Sequence, residues 1–170
     1  MGTRTVGWRV AWSCGILGLM ELRDEELYGK HADELVRFAT TLVGPSLAED
    51  VVANAVIRSM TSPSWPTVVE PRAYLFRAVF NEAMTVVRSR RRRERREEFA
   101  APPEVDDQST ISIEVRDAMS RLSLAERSVL YLAYWHDLSV EEIARTLNLS
   151  RRTTERALTQ ARRILEEHLS

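Results

Sequence analysis

Cysteine is almost absent from this 170-residue chain: Cys14 stands alone, which excludes an internal disulfide and any zinc site built from cysteines. Histidine is nearly as scarce. His31, His136 and His168 are scattered without metal-ligand or catalytic-base spacing. There is no glycine-rich phosphate loop and no carboxylate pair beside a plausible pocket, so the sequence argues against an enzyme and names no catalytic residue, metal or cofactor. Long apolar runs are missing too. The stretch "MGTRTVGWRVAWSCGILGL" carries two arginines and no acid, but it is too short for a membrane span and lacks a small-x-small cleavage site. The composition changes at Met20, where "MELRDEELYGKHADEL" reads as a fresh amphipathic start, and residues 1–19 read as an extension or a mis-assigned start. Lysine occurs once, at Lys30; the positive charge is otherwise arginine.

What is present is helical. The net charge is −1 at a pI near 6.3, yet acids crowd residues 21–50 while arginines crowd 88–96 and the C-terminal segment. Local basic faces matter for phosphate even on a neutral molecule. Apolar residues recur at helical spacing through Tyr28, His31, Leu35, Phe38 and Leu42, giving a helix that Gly44-Pro45-Ser46 ends. Ser46, with Glu49 three residues on, has the pattern of a capping box for a second helix to about Met60. "TSPSWPTVVEP" reads as an irregular loop, and Pro71 opens a long third helix with Leu75, Phe76, Val79, Phe80, Ala83, Val86 and Val87 on its core side. "AAPPEVDDQST" has no periodicity and reads as a linker. Four further helices follow, over 113–122, 124–136, 140–147 and 150–169. No strand-like alternation survives. The expected architecture is all-α: two small helical domains, 20–98 and 113–170, joined by a flexible linker over 99–112.

The chemistry gathers in three places. "EEIARTLNLSRRTTERALTQARRIL" breaks once, at Asn148-Leu149-Ser150. Asn tolerates the left-handed turn a tight helix ending needs, and Ser150 is a strong N-cap for the restart. Wound at roughly 100° per residue, the restarted helix sets Thr154, Leu158, Ala161 and Leu165 against Arg152, Glu155, Arg156, Thr159 and Arg163. Ala144 is small where two helices must cross. These are the parts of a helix-turn-helix, whose second helix enters the major groove by its N-terminal end; the candidate duplex contacts are Ser150, Arg151, Arg152, Thr153, Glu155, Arg156, Thr159 and Arg163. Thr154 stands where an aliphatic residue is usual. On the third helix Tyr74, Arg77, Asn81, Thr85 and Arg88 form a polar stripe suited to stacking on unpaired bases and gripping one strand. On the second, Asp50, Asn54 and Arg58 at four-residue spacing can dock a partner or face water.

"AMSRLSLAERSVLYLAYWHDLSVEEIARTLNLSRRTTERALTQARRIL" resembles the fourth domain of bacterial RNA polymerase sigma factors of the extracytoplasmic-function (ECF) group. "LYGKHADELVRFATTLVGPSLAEDVV" and "PRAYLFRAVFNEAMTVVRSRRRR" resemble that family's second domain. The resemblance implies a promoter-specificity subunit with core RNA polymerase and promoter DNA as partners. It leaves open an anti-sigma factor, implies no membrane and no small-molecule substrate, and places the chain in the cytoplasm. It matches Asp50 to the family's acidic core-binding position, Asn81 to its asparagine in the minus-ten helix, and Ser150, Thr153 and Arg162 to the recognition-helix motif; with the stripes around them, the candidates are Tyr74, Arg77, Asn81 and Arg88 for the minus-ten strand and Asp50, Asn54 and Arg58 for core polymerase. Departures from the family pattern are Ala53-Asn54 where Gln-Glu is usual, Val56 and Met60 where aromatics are usual, and Tyr74, Thr85 and Glu155. Two other readings stay open at this point: a stand-alone helix-turn-helix regulator, and a sigma-like interaction protein that does not direct promoter opening.

Overall fold

The computed structural model describes residues 22–96 and 113–169, and every regular element there is helical apart from turns. The helices are α1 (Leu22–Val43), α2 (Pro45–Met60), α3 (Pro71–Arg96), α4 (Ile113–Arg121), α5 (Leu124–Trp135), α6 (Val140–Leu147) and α7 (Arg151–Leu169), with a short 3-10 turn at Trp65–Thr67. Expectations for residues 1–19, Cys14 among them, and for the 99–112 linker lie outside the described residues. Packing divides the chain into Met1–Ala32 and Asp33–Ser170. The first half of α1, which belongs to the former, buries Tyr28 and Ala32 and leaves His31 half-buried.

Within the larger unit the apolar stripes meet as periodicity demands. Leu35, Phe38, Ala39 and Leu42 of α1, Val51, Val52, Ala55 and Val56 of α2, and Leu75, Phe76, Val79, Phe80 and Ala83 of α3 are all buried. Burying each such large side chain contributes about 1.5–3 kcal/mol relative to leaving it exposed. Val86 and Val87, expected on the core side, are only half-buried, because α3 there runs on toward its arginine-rich end. In the C-terminal half α7 packs on α4, α5 and α6. Its contacts are built on Ala118, Leu122, Val129, Leu132, Ile143, Leu147, Leu158 and Ala161.

Two local expectations need correction. The second helix is not capped by Ser46. It begins two residues earlier, with Pro45 in its first turn and Gly44 as N-cap at φ 87°, and no side chain caps it. Proline fixes φ at a helical value and has no N–H to leave unpaired, while glycine alone enters that left-handed conformation freely. The Gly44 amide donates to Thr40 O at 2.9 Å, so the same residue closes α1. The segment after α2 is also less irregular than its prolines suggest: Trp65 is buried in the 3-10 turn and meets Tyr74 edge-on, ring centroids 5.7 Å apart.

Candidate nucleic-acid interface

The helix-turn-helix is built almost wholly from local signals. Ser139 caps α6 in a capping box: its hydroxyl accepts from the Glu142 amide at 3.3 Å, and Glu142 Oε2 accepts from the Ser139 amide at 2.8 Å. These donors hold the Glu142 carboxyl below its ordinary pKa, the Ser139 hydroxyl first and the amide second. At the other end Asn148 sits at φ 54°, ψ 46°, the left-handed conformation, and the Leu149 amide donates back to Ala144 O at 2.9 Å. Ser150 then caps α7, its hydroxyl accepting from the Thr153 amide at 3.1 Å. Thr154, the odd inward residue, is 0% exposed, and its hydroxyl donates to Ser150 O at 3.2 Å. A buried hydroxyl with its partner one turn back costs little.

The opposite face of α7 is open. Arg151, Arg152, Thr153, Glu155, Arg156, Thr159 and Arg163 are all exposed, with Ser150 at the cap. They are not equivalent. Arg151 is claimed by Glu155 at 2.8 Å and by Glu141 at 2.9 Å, and those carboxylates raise its pKa, Glu155 foremost. Glu155 is thereby committed to Arg151, and Arg163 pairs with Glu167 at 2.9 Å. The hydroxyls of Ser150 and Thr153 share a hydrogen bond of 2.7 Å. Arg152 and Arg156 make no ion pair among the described residues. Arg162 faces elsewhere: its guanidinium lies over the Tyr134 ring and donates to the Tyr134 hydroxyl at 3.2 Å.

The strand-binding candidates on α3 come together in a cleft of about 420 Å³ between α2 and α3, where Tyr74, Arg77, Asn81 and Thr85 line one side. Thr85 ties back to Asn81 O at 3.0 Å, and Arg88 is exposed beyond the cleft. Arg58, expected with Asp50 and Asn54, also lines this cleft and pairs with Glu82 at 3.0 Å. Asp50 and Asn54 are exposed farther up α2, and Ala53 is half-buried.

Sequence reasoning missed the residues that join α1 and α3 to α5 and α6. Arg72 forks onto Glu34 with two bonds of 2.9 Å and donates to His136 Nδ1 at 2.7 Å. The Glu34 hydrogen bond raises the Arg72 pKa. His136, which caps the C-terminal end of α5, packs edge-on to Phe76 with centroids 5.1 Å apart. Burial, and then the Arg72 charge, pushes its imidazole below the ordinary histidine pKa. The neutral ring fits the geometry, since Nδ1 accepts from Arg72 and so lacks the proton that an ion pair with Glu34, 3.8 Å away, would need. Arg127 donates to Leu42 O at 2.9 Å and Thr41 O at 3.4 Å; its burial, with Arg91 nearby, lowers its pKa. Arg77 donates to Thr146 O at 3.1 Å and Arg145 O at 3.0 Å. None of these pairings has a local sequence signal.

Among the described residues no helix is long and apolar enough to cross a membrane. Residues 27–93 match the family described as Sigma-70 region 2, and residues 112–165 match Sigma-70, region 4. The chain is 31% identical over 155 residues to the RNA polymerase sigma-E factor of Streptomyces avermitilis, covering 87% of this chain and 86% of that protein. It is 31% identical over 150 residues to the ECF RNA polymerase sigma factor SigL of Mycobacterium tuberculosis, covering 82% of this chain and 84% of that protein. A solved structure of the sigma factor RpoE with the anti-sigma factor NepR from Bartonella quintana shares the fold, with TM-score 0.68 at 20% identity over 85% of this chain and 95% of that one. With both regions matched in order and relatives covered nearly end to end, the chain belongs to the RNA polymerase sigma factors of the ECF group.

Proposed function

We propose that this promoter-specificity subunit reads the minus-thirty-five element with the N-terminal end of α7 and holds the unpaired minus-ten strand with the polar stripe of α3. The exposed side chains of Asp50, Asn54 and Arg58 on α2 meet core RNA polymerase. The observation that carries the reading is the division of labour on α7. The turn and both caps fix the helix, Arg151 is tied to acids, and Arg152 and Arg156 stand on the exposed face with no ion pair among the described residues. An unpaired guanidinium near a helix N-terminus can bond guanine in the major groove bidentately. Stacking and amide groups in the α2–α3 cleft suit bases that have left the duplex. The protein works in the cytoplasm, without chemistry of its own: catalysis belongs to the polymerase it joins. An anti-sigma protein is its natural antagonist, as NepR is found with the Bartonella protein.

Asn81 provides the test. Its side chain is exposed at the cleft and holds no helix together. Asn81→Ala should leave polymerase binding and duplex promoter affinity nearly intact while impairing strand opening, read by permanganate reactivity of thymines around the start site. Opening at the wild-type rate would assign the stripe another task.

A further inference from the structure

Glu155 is the only acid among residues 150–159, and it lies on the reading face of α7 between Arg152 and Arg156. That face meets a polyanion, so a carboxylate there is repelled by phosphate unless it is neutralised and finds a donor on a base. The neutralising cation is in place. Arg151 donates from Nε to Glu155 Oε1 at 2.8 Å and sets Nη1 against Glu141 at 2.9 Å, so carboxylates from two helices hold two edges of one guanidinium. An exposed pair four residues apart contributes little by itself. The second acid gives it a further role, because Glu141 belongs to α6 and fixes the guanidinium against both helices of the motif. Glu155 is held in one orientation, with Oε2 without a partner among the described residues. The major groove offers that oxygen only the amino groups of cytosine and adenine as donors. A carboxylate has no N–H for adenine N7, so cytosine is its match.

We propose that Glu155 reads a cytosine amino group in the minus-thirty-five element, with Arg151 as the residue that positions it. Arg151 is then a brace for a base-reading acid rather than a phosphate contact, and the pair adds a position to those read by Arg152 and Arg156. The proposal rests on the reading of α7 as the helix that enters the major groove.

The test uses the full chain joined to core RNA polymerase and a library of duplexes carrying a randomised segment; sequencing the bound fraction gives base preference position by position. The wild type should favour cytosine at one position by about fivefold or more. Glu155→Ala should abolish that preference and leave the positions governed by Arg152 and Arg156 unchanged. Glu155→Gln should move it toward adenine, whose N6 and N7 an amide meets bidentately. Arg151→Ala should weaken the cytosine preference without redirecting it, and Arg151→Lys, which keeps a cation beside Glu155, should restore most of it. If Glu155→Ala binds every duplex more tightly and keeps every base preference, the acid only repels phosphate and the proposal is overturned, while the positions that depend on Arg152 and Arg156 still uphold α7 as the reading helix. If no α7 variant loses a preference at any position, that helix is not the reader, and Glu155 falls with it.

Discussion

Asn148 offers the cleanest perturbation, because its side chain is exposed and makes no hydrogen bond among the described residues. Whatever a substitution there costs must therefore act through the backbone, at φ 54°, ψ 46°. An L-residue in the left-handed conformation costs about 1–2 kcal/mol, part of which Asn avoids and Ala does not. Asn148→Ala should then lose about 1 kcal/mol, a fall in melting temperature of roughly 2–4 °C for a chain of this size. Asn148→Gly enters the conformation freely but gives back about 0.5–1 kcal/mol through a more flexible unfolded chain, so it should melt near the wild type. Calorimetric melting of the three proteins under one buffer is the assay, with duplex affinity measured well below the transition. The recognition residues are untouched, so the folded fraction of each variant should bind alike. If the Ala and Gly variants melt together, the turn does not discriminate against a β-carbon and the reasoning fails.

Two further outcomes follow from the site. On single-base variants of a bound promoter, Arg152→Ala or Arg156→Ala should each cost about 1–3 kcal/mol and relax preference at one base pair. Arg163→Ala, by contrast, should weaken every sequence alike and flatten the salt dependence; uniform losses for all three would make α7 a phosphate clamp. Stability should also fall between pH 7 and 5 through His136. Its folded pKa lies below the ordinary value near 6.5, so on acidification the unfolded chain takes up a proton that the folded chain refuses. The low-lying Glu142 carboxyl contributes only below that window. His136→Asn keeps an acceptor for Arg72 but cannot charge, and urea midpoints across that range should be flatter in the variant; equal slopes would remove His136 from the account.

The helix-turn-helix was legible in the sequence because its determinants are local: Asn148 at the turn and Ser150 with Thr153 act across three residues or fewer. The buried stripes were legible for the same reason, since helical period alone places Leu35, Phe38, Leu75, Phe76 and Leu158 inside. Ser46 misled because a capping signature competes with a Gly-Pro pair directly before it, and the pair decides where the helix starts. The fastenings between the halves were not legible. Arg77 reaches carbonyls 68 and 69 residues away, and Arg127 reaches others 85 and 86 away; an arginine bonded to main chain leaves no trace in the identity of its partner. The distinction between Arg151 and Arg152, which makes no ion pair among the described residues, is likewise geometric, since one of the acids that holds Arg151 is Glu141 of the preceding helix.

Transcription in a purified system reads promoter selection itself. Core RNA polymerase, the full chain and fragments of the source genome should yield discrete transcripts from a limited set of start sites, absent without the chain and lost when Arg152→Ala and Arg156→Ala are combined. A chain that joins core polymerase or binds duplex DNA yet adds no specific transcript would contradict it.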